Sequence, residues 1–166
     1  MRTPSSASAG YFPTQESLLL EVSVNLDVDD IEVLVRTPVA APDARARALQ
    51  VLTAFNRHVA AEEVRYRTVM RLYLDLWLAA TAAGDDAPVV REGRRWRWFE
   101  TTLAPVEDQL APEHRDRVVA ALAVLAGPEA FSVLRDVCHM AADDAVDTAE
   151  WMARTVLTAV VRDADG

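Results

Sequence analysis

The sequence predicts an all-α protein, a bundle of seven to nine helices around one core. Apolar residues make up 51% of the 166 residues, and only five residues are glycine. The apolar residues recur at three- and four-residue spacing in one stretch after another, as on the buried face of a helix. No useful stretch alternates with the period of two that a half-buried strand requires. We therefore expect helices packed on helices.

The charge and the cysteine content narrow the functional classes. A net charge of −9 argues against autonomous nucleic-acid binding, because such domains carry a basic face that neutralises phosphates. A single cysteine, Cys138, excludes an internal disulfide framework and fits a reducing compartment. The chain has no apolar run of about 18 residues that would span a membrane, and its Ser- and Ala-rich start lacks the apolar region of a signal peptide. We expect a soluble, cytoplasmic protein.

The first predicted helix follows the sequence Tyr11-Phe12-Pro13-Thr14. Proline biases the residue before it away from helical conformations, so any preceding element ends here, and Thr14 can cap a new helix. We expect this helix to extend to Leu26, with one apolar face formed by Leu18, Leu19, Val22 and Leu26. Residues 1–10 contain Pro4 and several serines, and we expect them to be disordered.

Two segments follow before the middle of the chain. Acidic residues from Asp27 to Asp30 suit the first turn of a short helix, or of a continuation of the first, that ends near Arg36. After a linker bounded by Pro38 and Pro42, Asp43 opens a helix. Its predicted apolar face consists of Leu49, Leu52, Phe55 and Val59. A break is expected near Glu62 or Glu63.

The stretch from Val64 to Ala83 is apolar nearly all the way round, which is typical of a buried helix. Loop-forming residues beginning at Gly84 end it. The next helix is predicted from about Glu92 to Leu110, and Pro105 should kink or split it near Ala104. Its apolar residues alternate at three and four residues: Trp96, Phe99, Leu103, Val106 and Leu110.

Three segments complete the chain. Pro112 begins a helix that Gly127 and Pro128 interrupt, and Pro128 suits the first position of the next. Their apolar residues are Val118, Val119, Leu122, Leu125, Phe131, Leu134 and Cys138. The last helix, preceded by acidic residues, is apolar on more than one face from Val146 to Val161. Because one face is enough for packing within a subunit, the second face predicts contact with another subunit.

The sequence around Tyr11-Phe12-Pro13-Thr14 resembles the end of the DNA-binding domain in TetR-family transcriptional regulators, where the recognition helix is followed by an aromatic turn and a Ser/Thr-capped helix. Later segments are similar to the regulatory domain of a subgroup of that family. They are Glu92-Gly93-Arg94-Arg95-Trp96-Arg97-Trp98-Phe99, Leu103-Ala104-Pro105, Ala120-Ala121-Leu122 and Leu134-Arg135-Asp136-Val137.

The resemblance implies that residues 1–13 are a remnant of a helix-turn-helix domain, with Tyr11 its DNA-binding remnant, and that residues 14–166 form a ligand-binding and dimerisation domain. It also implies a homodimer formed by the C-terminal helices, a small apolar effector, and DNA binding only where an upstream helix-turn-helix exists. An alternative is an interaction protein that pairs with a full-length relative and titrates it. A helical enzyme is the least favoured class.

Two sets of residues are candidates for these functions. An aromatic and methionine set could line a ligand pocket, with His58 and the tyrosines as polar groups, although helical stripes alone also describe an ordinary core. It comprises Phe55, His58, Tyr66, Met70, Tyr73, Trp77, Trp96 and Phe99. The predicted dimer interface comprises Val119, Leu122, Phe131, Leu134, Trp151, Met152, Val156 and Val160.

The remaining polar candidates favour structural roles. His58 and Glu62 are four residues apart, but nothing completes a metal site, so an ion pair is favoured and no metal is expected. Cys138 and His139 would point about 100° apart on a helix, which predicts a small buried cysteine beside a partly exposed histidine. We find no catalytic constellation and expect neither enzymatic activity nor a cofactor.

A cluster of arginines alternates with tryptophans in the sequence before Phe99. It superficially resembles a nucleic-acid patch, but on a helix Trp96 and Phe99 would face inward and the arginines would spread over the solvated side. The cluster comprises Arg91, Arg94, Arg95 and Arg97. A solvated helix face is therefore the favoured interpretation, with contact to a phosphate or an acidic ligand as the alternative.

Overall fold

The computed structural model describes residues 28–84, 93–109 and 112–164, and these contain seven α-helices and no strand. The prediction of an all-α fold is confirmed. The helices are α1 (Asp29–Arg36), α2 (Ala44–Ala61), α3 (Glu63–Ala82), α4 (Arg94–Leu103), α5 (Pro112–Leu125), α6 (Pro128–Asp136) and α7 (Ala142–Ala164). Tyr11, the remnant 1–13 and the predicted helix Thr14–Leu26 lie outside the described residues.

Helix α2 is central to the bundle. It packs most extensively against α7 and also contacts α1, α4 and α6. Its predicted apolar face is confirmed, because Leu52, Phe55 and Val59 are buried and Leu49 is partly buried. Small residues on the same helix, Ala44 and Ala48, are fully buried and allow neighbouring helices to approach closely.

Three predicted breaks between helices are confirmed. Glu62, whose backbone is not helical, separates α2 from α3. Pro105 lacks an N–H donor, so α4 ends at Leu103 and the chain continues as a 3-10 turn over Ala104–Gln109. Pro128 occupies the first turn of α6, where a missing N–H carries no penalty.

The predicted burial of α3 is wrong. Val69 is its one buried residue, whereas four large apolar side chains are between 45% and 81% exposed: Val64, Leu74, Trp77 and Leu78. The physical reason is the position of α3 at the edge of the bundle, where it packs mainly against the short α6. Apolar composition round a helix does not supply neighbours for every face.

The end of α6 also differs from the prediction. Phe131 and Leu134 are buried as expected, but α6 ends at Asp136, and Val137 and Cys138 lie exposed in the turn that follows. The predicted burial of Cys138 is therefore wrong, because it assumed that the helix continued.

No single helix among the described residues is long and apolar enough to cross a bilayer. The segment His114–Leu125 and α6 reach the required length and composition only when joined, and they meet at a bend of 57°.

Candidate functional site

A cavity of about 510 Å³ lies among α2, α3, α4, α5 and α6. Its lining is mostly apolar and aromatic, with a few polar groups, as is usual for small-molecule sites. The aromatic and methionine residues are Phe55, Tyr66, Met70, Tyr73, Trp96 and Trp98, the aliphatic ones are Val28, Val69, Ala120, Ala123, Val124 and Pro128, and the others are Gly93, Arg94, Arg95 and Glu129.

Five of the eight residues that the sequence nominated for a pocket line this cavity: Phe55, Tyr66, Met70, Tyr73 and Trp96. The other three lie elsewhere. His58 packs edge-on against Tyr66 at a centroid distance of 5.6 Å, outside the lining. Trp77 lies further along α3 and is 45% exposed, and Phe99 is fully buried in the core.

Phe55 connects the core to the cavity. Its ring makes near-perpendicular contacts with Tyr66 at 5.9 Å and with Trp98 at 5.2 Å, a geometry that aromatic pairs favour. Trp98 is only 3% exposed, and its indole N–H donates to Glu32 Oε1 at 2.8 Å. Sequence reasoning missed Trp98, because the three- and four-residue spacing selected Trp96 and Phe99 instead.

The cavity wall keeps Tyr66 protonated. Burial raises the pKa of the Tyr66 phenol to about 12, since the phenolate would lose its hydration. The nearby Arg65 opposes this shift only in part. The Tyr66 phenol therefore stays protonated to a higher pH than a solvated tyrosine does. Beside it, the His58 Nε2 atom is buried and has no hydrogen-bond partner among the described residues.

Arg95 holds the junction between α5 and α6. Its Nη1 donates to the Ala123 carbonyl at 3.1 Å, to the Ala126 carbonyl at 2.6 Å and to Glu129 Oε2 at 2.8 Å, and Nη2 donates to Glu129 Oε1 at 3.1 Å. The guanidinium satisfies carbonyls that the end of a helix leaves without partners. The predicted solvated face is therefore wrong for Arg95, while Arg97 is exposed and Arg91 lies outside the described residues.

The same junction contains a buried amide and a glycine. Asn56 Nδ2 donates to the Leu125 carbonyl at 3.0 Å, and the Gly127 N–H donates to Asn56 Oδ1 at 2.7 Å. Gly127 has φ +129°, and a Cβ there would lie 2.6 Å from Arg95 Nη1. The sequence identified Gly127 as a helix break, but the close approach of Arg95 could not be read from the chain.

A second hollow, the α5–α7 groove, lies on the surface between those two helices. It is lined by Ala120, Ala121, Val124, Leu125, Trp151, Met152, Thr155 and Val156. Three of the residues nominated for a dimer interface belong to it, and Trp151 is 64% exposed.

The other nominated interface residues do not line the groove. Val119, Leu122, Phe131 and Leu134 are between 0% and 7% exposed and pack inside the subunit, so they are not available to a second chain. Their burial reflects the packing of α5 and α6 against α7. The side chain of Val160 lies outside the described residues.

The polar candidates for other chemistry are dispersed. Within the described segments, no group of three or more His, Cys, Asp or Glu side chains could hold a metal ion. Glu62 is exposed, and His58 contacts Tyr66 in place of the predicted ion pair with Glu62. Cys138 and His139 are both exposed in the turn after α6.

Comparison of the chain with protein-family models, with curated proteins and with solved structures finds no match in any of the three. The cavity and the groove are the features of the described residues that bear on function.

Proposed function

We propose that the chain is the regulatory part of a TetR-like transcriptional regulator, which binds a small, uncharged, largely aromatic molecule in the cavity and forms a homodimer. The observation that carries this proposal is the cavity itself, of about 510 Å³ and lined largely by aromatic, methionine and aliphatic side chains. The proposal assigns any DNA contact to a helix-turn-helix upstream of these helices.

The lining favours an uncharged ligand. Burial raises the pKa of the Tyr66 phenol to about 12, and a site that disfavours the phenolate also disfavours an ion brought in from water. Arg95 and Glu129 already form a bidentate pair, so their charges largely compensate each other. Aromatic rings that surround the space on several sides suit the faces and edges of another ring.

The α5–α7 groove supports pairing with a second copy. Trp151 is 64% exposed and lines the same groove as the small residues Ala120 and Ala121, so one patch combines a large and two small side chains, which suits self-complementary pairing across a two-fold axis. None of the residues that line the groove is charged. Two copies with a net charge of −9 each can therefore meet there without placing like charges in contact.

Ligand binding can be tested with a neutral fluorescent dye, N-phenyl-1-naphthylamine, titrated into the full chain. We expect Ala123→Leu to weaken dye binding by at least about tenfold, because a larger side chain at the cavity wall occupies the dye's volume. Ala79→Leu, the same change at an exposed position of α3, is the matched control. Equal dye affinity in the two variants, or no dye binding by the native chain, would contradict the assignment.

Dimerisation can be tested by sedimentation equilibrium. The native chain should have about twice the monomer mass of 18.3 kDa, and Trp151→Asp should dissociate it, because a carboxylate in the groove would be buried without a partner. Val133→Asp, at an apolar position that is 53% exposed and outside the groove, should leave the dimer intact. A native chain that stays monomeric would refute self-pairing and would favour the heterodimer alternative.

A further inference from the structure

Helix α3 is one complete wall of the cavity. Tyr66, Val69, Met70 and Tyr73 line the space from one face of this helix, at the three- and four-residue spacing of a continuous stripe. The other walls belong to α2, α4, α5 and α6. The cavity is partly open to solvent, and a displacement of α3 alone would widen its opening.

The wall formed by α3 is held much less firmly than the others. Val69 is its one buried residue, whereas α2 and α4 contribute side chains such as Leu52, Phe99 and Leu103 to the core. An element with few buried apolar contacts opens at a lower free energy than the core does. Movement of α3 would leave the main core intact.

A bidentate ion pair connects α3 to the rest of the bundle. Arg67 Nη1 donates to Asp136 Oδ2 at 2.8 Å and Nη2 donates to Asp136 Oδ1 at 2.7 Å, which joins α3 to the end of α6. Glu63, one turn earlier on α3, accepts from Arg67 Nε at 2.8 Å and orients the guanidinium. The Arg67 and Asp136 side chains are 36% and 55% exposed, so solvent and salt can reach the pair.

The helix is interrupted at the same end of α3 as Arg67. Glu62 connects α2 to α3 with φ −111° and ψ 31°, outside the helical region, while its N–H still donates to the His58 carbonyl at 3.0 Å. Rotation at one such residue can move a helix without unfolding it.

We propose that α3 is a movable wall of the cavity, turning at Glu62, and that the Arg67–Asp136 ion pair controls how fast a small molecule enters and leaves. The inference rests on the proposed function, because it concerns access to the same cavity. An exposed ion pair is weak enough to break often, so it limits the exchange rate without closing the cavity permanently.

The test measures the association and dissociation rates of N-phenyl-1-naphthylamine by stopped-flow fluorescence. Removing one partner of the pair, in Arg67→Met or in Asp136→Asn, should raise both rates by about two- to fivefold. The equilibrium affinity should change less than either rate, since the cavity lining is untouched. Arg71→Met is the matched control, because Arg71 pairs with Asp75 within α3 at 3.6 Å and does not attach α3 to another helix.

Salt provides a second measurement on the same proteins. Raising the ionic strength should accelerate dye exchange in the native chain toward the rate of Asp136→Asn, and should have little effect on that variant. Unchanged exchange rates in both Arg67→Met and Asp136→Asn, with dye still bound, would overturn the movable wall and leave the proposed function standing. Absence of dye binding in the native chain would overturn the proposed function and this inference together.

Discussion

Helices α2 and α3 follow each other in the chain, are 18 and 20 residues long, and are both rich in apolar residues, yet they differ sharply in burial. Eight residues of α2 are buried, against one residue of α3. The difference comes from neighbours. Helices lie on several sides of α2, whereas α3 packs mainly against α6. Its remaining apolar side chains face the cavity or solvent.

Helices of similar apolar composition can therefore serve two different roles, according to how many neighbours they have. A helix with partners all round gains stability from each apolar side chain, because every one of them leaves water. A helix at the edge gains little from most of its side chains, so it can move at low cost. In this protein α2 contributes Phe55 to the cavity and is anchored in the core by eight buried residues, whereas α3 forms a cavity wall and has one buried residue.

The largest expected contrast comes from one substitution made in both helices. Leu52→Ala, at a fully buried position of α2, should lower the free energy of unfolding by about 3 kcal/mol through lost burial and a new void. Leu74→Ala, at a position of α3 that is 59% exposed, should change it by less than about 0.5 kcal/mol. Urea denaturation followed by circular dichroism measures both. Similar costs for the two variants would mean that α3 is buried in solution.

A second contrast compares the glycines that follow α3 and α5. Gly127→Ala should cost about 3 kcal/mol, because φ +129° is a glycine conformation and the new Cβ would meet Arg95. Gly84→Ala should cost only about 1 kcal/mol, since Gly84 has φ +87° but no atom within 4 Å of the added Cβ. The same denaturation experiment applies. If both alanines cost the same, the close packing of Arg95 against Gly127 would be refuted.

The sequence predicted the local features of the fold. The breaks at Pro105 and Pro128 follow from the missing N–H of proline, so no tertiary information was needed for them. Burial was predicted less well, because it depends on which helices become neighbours. Cys138 and the outer face of α3 were assigned to the interior on the basis of helical pattern alone, and both are exposed.

The cavity lining could be predicted only in part, because it too depends on which helices become neighbours. Tyr66, Met70 and Tyr73 lie on one stripe of α3, and the cavity lies against that part of the stripe. Trp98 and Arg95 were not predicted to face inward. Trp98 is turned inward by its hydrogen bond to Glu32 on α1, and Arg95 by the carbonyls at the end of α5. Both partners are distant in the sequence.

The smallest expected effect is a change in the free energy of unfolding at high pH. It comes from Tyr66, which lies at the contact between α2 and α3. The folded-state pKa of Tyr66 is about 12, against an ordinary value of 10.0, so the unfolded chain releases this proton first as the pH rises. The contribution of the protonated phenol is complete below about pH 10 and is lost as the pH rises toward 12. Burial is the main cause, with Arg65, Arg94, Arg95 and Glu62 as the charged neighbours.

Tyr66→Phe cannot ionise, so its stability relative to the native chain should be constant up to about pH 10 and should then rise toward pH 12. Urea denaturation of both proteins at a series of pH values measures this difference, and the other titrating groups cancel in the comparison. A difference that stays constant through pH 12 would mean that the Tyr66 phenol is solvated. In that case α3 stands away from α2 in solution, whereas a rising difference places α3 against Phe55 and His58, as the aromatic contacts of Tyr66 require.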